Sequence, residues 1–298
     1  MSLTQEQRGL WLGFLGVLAF SLTLPTTRIA VQALNPWFVG LGRSLFAGLL
    51  ALVVLIVTRQ PLPRREHLKG LLGVSIGVVL GFPMLITWAM REVPAAHGAI
   101  VIGLLPLATA MIGSVMNRER PSAGFWFASA AGSLLVVGFA LVHGGGSLVP
   151  ADLTLFFAVV LSAWGYAAGA KLTPSLGGWQ TISWALVLSL PVVMVPMAYA
   201  TREIDFGAVP AASWAGFVYL VLMSQYLGFV VWYRGLAIGG IARVSQMQLT
   251  QVFLTMLFVA LLLGEHITPT MVIFAIAVVA TVAIGRRMPV VRAAAVHT

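Results

Sequence analysis

Leu49-Leu50-Ala51-Leu52-Val53-Val54-Leu55-Ile56-Val57 runs for nine residues without one polar side chain. A strand of a membrane barrel alternates apolar and polar positions over about ten residues, and a surface helix of a soluble domain keeps a polar face. This stretch does neither. It lies inside a longer apolar segment, residues 36–58, that meets the ~20 residues needed to cross a bilayer as a helix. Val252 to Leu263 reads the same way. The rest of the chain shares the bias. Of its 298 residues, 60% are hydrophobic and only 8% charged, with a mean hydropathy of +1.00, against about 45–50% apolar and about 25% charged in a soluble domain. No soluble core buries that much apolar surface. Cysteine is absent, which removes disulfides, thiol catalysis and thiolate metal sites.

Ten apolar stretches of spanning length follow one another at 9–32, 36–58, 68–90, 95–116, 122–142, 152–172, 178–200, 211–234, 241–263 and 268–285. The expected fold class is an all-α integral membrane protein with ten transmembrane helices. The first stretch is long, lacks a small-x-small cleavage site and precedes nine others, so it reads as an uncleaved helix and not as a signal peptide. Seventeen Lys and Arg face eight Asp and Glu, a formal charge of +9. With ten crossings, thirteen of the bases fall on the side that holds both termini, and only Arg28, Arg91 and Arg202 on the other; Arg43 lies within span 2. Basic loops stay in the cytoplasm, so both termini are expected there, with the chain in a cell membrane of the inner or plasma type. The surplus charge marks topology and not a nucleic-acid surface.

His143-Gly144-Gly145-Gly146-Ser147-Leu148-Val149-Pro150 is the most linker-like stretch, and it divides the spans five and five. This gives a first five-helix repeat over 1–142, a loop over 143–151, a second repeat over 152–286 and a cytoplasmic tail over 287–298. Spans 4 and 9 align without gaps: Ala96-His97 meets Ala242-Arg243, Pro106 meets Val252 and Glu119 meets Glu265, each pair 146 residues apart. A unit with an odd number of crossings must have its second copy inserted upside down. Inverted repeats of this kind are a recurrent transporter design, with substrate handled near the midplane.

These residues carry a family resemblance. Trp88-Ala89-Met90-Arg91-Glu92-Val93-Pro94-Ala95-Ala96-His97, Arg43 in span 2, the run from Trp232-Tyr233-Arg234-Gly235 to Ala242-Arg243-Val244-Ser245, and the repeat-ending Glu119 and Leu263-Gly264-Glu265 resemble the drug/metabolite transporter superfamily, specifically its ten-helix EamA-type members. The likeness covers about residues 9–286. The second half departs from the usual pattern, with Gln251-Val252 where many members have Glu-Pro. Within the family the overall likeness is greatest to YddG-type aromatic amino-acid exporters.

The residues themselves narrow the chemistry. All eight carboxylates lie at span ends or in loops, whereas proton relays and cation pumps place acids inside the membrane. A facilitative carrier or exchanger for a neutral or zwitterionic substrate fits better than a proton-driven cation pump. His97, one turn into span 4, either bonds a backbone carbonyl or contacts a substrate carboxylate or gate. Arg43 is either a structural, snorkelling arginine or a functional group. In span 3, Gly73, Gly77 and Gly81 form a small-residue stripe suited to close helix approach, while Met84 and Trp88 continue the same face toward a central cavity or into packing. Trp164 and Tyr166 of span 6, and Gln225 and Tyr226 of span 8, are further candidates for that cavity. Span 9 carries Gln246, Gln248 and Gln251, too polar for lipid; Gln248, Gln251 and Thr255 share a face that lines either a water-filled path or an interhelical contact. Pro25, Pro83, Pro106, Pro191 and Pro196 interrupt apolar spans and act either as pivots or as static bends.

The leading reading is a secondary transporter exporting small metabolites, neutral or aromatic amino acids first, by alternating access through an apolar-aromatic cavity; drugs or other metabolites are alternative cargo. A membrane-embedded enzyme, either an intramembrane protease or a lipid-modifying enzyme, needs a nucleophile–base pair or a metal cluster in the bilayer, and the five histidines are scattered with no His-Glu-x-x-His among them. No P-loop occurs, so no nucleotide is expected. Cofactors and metals are expected to be absent. The expected partners are a small-molecule substrate and the lipid bilayer, not nucleic acid, with the chain a monomer or weak homo-oligomer.

Overall fold

Asn35-Pro36 shows how the connections set the helices. The Asn35 side chain accepts from Trp37 N–H at 2.8 Å, and proline at the first helical position loses nothing, because that N–H has no intrahelical partner. Thr268-Pro269 repeats the device, with Met271 N–H donating to Thr268 Oγ1 at 3.3 Å. Gly264, at φ 64°, closes a helix in the left-handed conformation that glycine adopts freely.

The computed structural model describes residues 4–116, 119–143, 148–202, 204–239, 244–288 and 290–292. Among the described residues, eight helices are long and apolar enough to cross a membrane: α1 (Gln7–Ala30), α2 (Pro36–Val57), α3 (Arg65–Glu92), α4 (Ala95–Met116), α5 (Ala123–Val142), α6 (Pro150–Leu176), α7 (Gly178–Ala200) and α8 (Ala211–Leu236). Two shorter apolar helices complete the set, α9 (Met247–Leu263) and α10 (Pro269–Gly285). Sequence reading did not foresee one small addition: strand β1 (Glu119–Pro121), between α4 and α5, pairs antiparallel with β2 (Val290–Arg292), which follows α10.

Several helices are interrupted, and the interruptions recur at one spacing. α3 contains a π-helical stretch, Ser75–Gly81, and α8 contains another, Leu220–Leu227. α4 breaks at Gly103-Leu104 and resumes at Leu105; α9 begins as a tight 3-10 turn over Ser245–Thr250 and becomes α-helical at Gln251, 146 residues after Leu105. Span 9 is therefore not the uniform helix the apolar run suggests. Thr250 Oγ1 donates back to Met247 O at 2.7 Å, the local competition by which hydroxyl side chains loosen helices.

The packing is reciprocal between the halves. α1 lies on α8 as α3 lies on α6; α4 lies on α6 as α1 lies on α9; α2 pairs with α7 and α5 with α10. Small residues permit the closest of these approaches. A Cβ on Gly77 would come within 2.4 Å of Leu161 O and 2.8 Å of Gly165 Cα, so α3 and α6 touch backbone to backbone there. Two apolar cores result, and Tyr166 packs against both. The outer surface is apolar as well: Val57, Leu134 and Leu261 are exposed, and Phe127 is 78% exposed, the arrangement expected where lipid is the solvent.

Candidate functional site

The two π-helical stretches meet at the centre of the bundle. A π turn bonds i to i+5 and locally leaves carbonyls without their usual helical donors. The carbonyls of Val78 and Val79 in α3 accept from Gln225 Nε2 of the α8 π turn, over 3.5 and 3.4 Å. Val79 O also accepts from Ser44 of α2. The next residue back in α8, Ser224, joins α1 and α2: its Oγ lies 2.7 Å from Thr23 Oγ1 and accepts from Arg43 Nη2 at 2.7 Å.

Arg43 is only 1% exposed, and among the described residues Ser224 is its one hydrogen-bonding partner, while Nε and Nη1 have none. Burying a charge in a low-dielectric interior costs several kcal/mol unless partners replace its water, so an incompletely paired guanidinium marks a task. Arg43 lines a narrow central space with Thr23, Tyr166, Ser224, Gln225, Gln251 and the rings of Phe20, Phe82 and Phe229. No carboxylate is among its described lining residues. The space amounts to about 20 Å³ for water centres, room for about one water. Aromatic contacts close it: Phe20 and Phe229 have centroids 4.8 Å apart, and Tyr166 and Phe229 5.9 Å.

A second narrow space adjoins the first where α4 and α9 break. Gln248, Gln251 and Thr255 line it on one side, with Ile102, Gly103, Leu105 and Pro106 opposite. Gln251 borders both spaces. Gln248 is buried, and its Nε2 has no partner among the described residues.

Wider recesses open toward the two ends. One, of about 640 Å³, gathers Trp88, Glu92 and His97 from the α3–α4 connection with Val149, Pro150 and Thr154 at the start of α6. The other, of about 550 Å³, gathers Glu66, His67 and Lys69 at the start of α3 with Met116 and with Trp164 and Lys171 of α6. At the first recess His97 Nε2 donates to Asp152 Oδ1 at 2.6 Å, and Asp152 Oδ2 accepts from Val149 N–H at 2.9 Å. Glu265 caps the start of α4, taking Ala95 N–H at 3.0 Å and Ala96 N–H at 3.1 Å. Arg28 caps the end of α3 through Met90 O and Val93 O, at 2.6 and 2.9 Å.

The candidates read from sequence divide accordingly. Tyr166, Gln225 and Gln251 come together at the central space, and Gln248 lies beside it. His97 pairs with the Asp152 carboxylate at the rim of the first recess. Trp88 sits at the wider recess, edge-on to Trp37 at 5.9 Å with Arg91 over its ring, away from the centre. Met84 packs where a Cβ on Gly40 would come within 2.6 Å of its Sδ, so that face of α3 serves helix contact. Trp164 lines the opposite recess. Tyr226 is buried against α7, its hydroxyl 3.1 Å from Ser183 Oγ. The side chain of Gln246 lies outside the described residues. Arg43 and Ser224 were absent from the expected cavity set. The signal for Arg43 was its position as the one base inside a span; Ser224 carries none, because a lone serine in an apolar helix is unremarkable in pattern.

Comparison with known proteins gives a consistent assignment. The sequence model of the EamA-like transporter family matches the chain twice, over residues 7–143 and 149–285. The "Uncharacterized transporter YdeK" of Bacillus subtilis (strain 168) is 47% identical over 275 residues, covering 92% of this chain and 96% of that protein. The "Uncharacterized transporter YyaM" of the same organism is 21% identical over 244 residues, covering 78% and 80%. A solved crystal structure of 16% sequence identity superposes with a TM-score of 0.62 over 93% of this chain and 95% of that one, which shows a shared fold.

Proposed function

The chain belongs to the EamA-like transporter family, and from that premise we propose that it exports small metabolites, neutral or aromatic amino acids foremost, by alternating access. The observation that carries this reading is the closed centre: a buried guanidinium, two amides and four aromatic rings converge on a space too small for substrate, with a wider recess toward each end. Convergent polar groups within apolar and aromatic walls are the usual composition of a small-molecule site. Opening one recess down to the centre while the other stays shut moves a molecule across.

Two inverted five-helix repeats supply the mechanics. The double family match, the π turns at corresponding places in α3 and α8, and the breaks at Leu105 and Gln251 support that reading. Exchange of the two halves maps the main helix pairings onto their reciprocals, which supports alternating access by rocking one half against the other. The thirteen bases on the terminal side support a cytoplasmic location for both termini, with the chain in a cell membrane. Described carboxylates are absent from the central space, which supports facilitation or exchange over proton coupling through an acid.

Purified protein in liposomes tests the proposal by uptake of labelled phenylalanine, tryptophan and threonine beside a cationic dye. Amino-acid flux well above that of empty vesicles, with little dye uptake, is expected. Flux equal to that of empty vesicles removes the reading.

A further inference from the structure

Arg43 and Gln225 border the same central space, and neither completes its hydrogen bonds among the described residues. Arg43 leaves Nε and Nη1 unpaired; both are donors on a group that holds its charge. Gln225 leaves Oε1 unpaired. Its amide orientation is set by its neighbours, since the carbonyls of Val78 and Val79 only accept and so take the Nε2 end. One space therefore offers a cationic donor and a neutral acceptor, both buried, beside Tyr166, Phe20 and Phe229.

We infer that Arg43 and Gln225 form the two-point receptor for a zwitterionic amino acid, the substrate carboxylate pairing with the Arg43 guanidinium and the substrate ammonium donating to Gln225 Oε1. An inorganic anion satisfies Arg43 and leaves Gln225 Oε1 orphaned. A simple amine satisfies Gln225 and sets a second positive charge beside the first. A zwitterion meets both needs and adds no net charge to the interior. Ser224, held between Thr23 and Arg43, fixes the guanidinium so that its remaining donors stay presented. The present closed space holds about one water, so binding accompanies separation of the Phe20, Tyr166 and Phe229 rings. These rings then flank the substrate side chain.

This inference rests on the transport reading, and two readouts keep them separable. The first is liposome flux of L-phenylalanine, 3-phenylpropionate, which lacks the ammonium, and phenylalaninamide, which lacks the carboxylate. The second is the melting temperature of the detergent-purified full chain with each compound and with sodium chloride. Wild type is expected to carry L-phenylalanine about tenfold or more faster than either analogue, since a lost charge-assisted bond has that scale. Arg43→Gln should lose most of that flux and stop distinguishing L-phenylalanine from its amide. Arg43→Lys, which keeps the charge, should retain the preference at reduced rate, and Gln225→Leu should stop distinguishing L-phenylalanine from 3-phenylpropionate. Equal handling of L-phenylalanine and its amide by wild type, or an unchanged preference in Arg43→Gln, overturns the inference while leaving transport intact. Protection by sodium chloride equal to that by L-phenylalanine also overturns it. If wild type carries no amino acid, yet L-phenylalanine raises its melting temperature and leaves that of Arg43→Gln unmoved, the receptor stands and the transport reading falls.

Discussion

His97 of α4 and Asp152 of α6 form a buried pair, with Nε2 and Oδ1 2.6 Å apart, at the rim of the 640 Å³ recess. Asp152 also takes Val149 N–H at the start of α6, so one carboxylate ties two helices of the first recess and caps the start of α6. Removing it takes away the acceptor of His97 Nε2 and of the Val149 N–H. Asp152→Ala is expected to destabilise the protein by about 2–3 kcal/mol, a drop of roughly 5 °C or more in melting temperature for a chain of this size. Asp152→Asn keeps an acceptor and should lose about half as much. Melting curves of the detergent-purified variants decide it; equal loss in both would show that the charged carboxylate with its two acceptor oxygens, and not the volume of the side chain, carries the stabilisation.

Glu265 bridges the halves by capping α4 from the loop after α9. Its carboxylate meets two N–H groups that have no helical partner, and its charge opposes the positive end of the helix dipole. Glu265→Ala should lower stability by about 1 kcal/mol, and Glu265→Gln by less, since one acceptor remains. Amide exchange at Ala95 and Ala96 offers the local readout: it should accelerate in Glu265→Ala and stay slow in Glu265→Gln.

Gly77 and Gly113 make a matched test of helix approach. A Cβ on Gly77 would lie 2.4 Å from Leu161 O and 2.8 Å from Gly165 Cα, both backbone, so nothing there can yield without α3 leaving α6. A Cβ on Gly113 would meet nothing within 4 Å. Gly77→Ala is expected to cost about 3 kcal/mol or more and to depress the yield of folded protein. Gly113→Ala should be neutral or slightly stabilising, because alanine favours helix. Comparable melting temperatures for the two variants would refute the contact.

The contrast between Gly77 and Arg43 shows how far the sequence speaks. Apolar runs and small-residue spacing are local patterns that act on every residue of a span, so helix positions and the glycine stripe of α3 were legible from residues alone. The meeting of Arg43, Ser224 and Gln225 depends on long-range packing across residues 43 and 224–225 and on two π turns whose apolar sequences, Ser75–Gly81 and Leu220–Leu227, read as ordinary helix. Gln248, Gln251 and Thr255, whose spacing puts them on one helix face, line one narrow space together. Trp88 and Met84 share a helix face with the glycines, yet the rotation introduced by the π turn and the contact with Gly40 carry them to a recess and to a packing seam.

Gln251 and Tyr226 separate a site residue from a packing residue of similar polarity. Gln251 starts the α-helical part of α9 and borders both narrow spaces, so a substrate passing the centre meets its amide. Replacing it by leucine keeps the volume and removes the polar end, leaving the helix break intact but presenting a methyl group to a zwitterion. Tyr226 instead directs its hydroxyl to Ser183 within the α7–α8 contact, where its loss costs about 1 kcal/mol of stability and touches no substrate. Gln251→Leu should therefore lower amino-acid flux by about tenfold at an unchanged melting temperature. Tyr226→Phe should lower the melting temperature by a few degrees at unchanged flux. Measuring both quantities on both variants makes the comparison internal: if Tyr226→Phe loses flux while Gln251→Leu keeps it, the path runs along α7 and α8, not between α4 and α9.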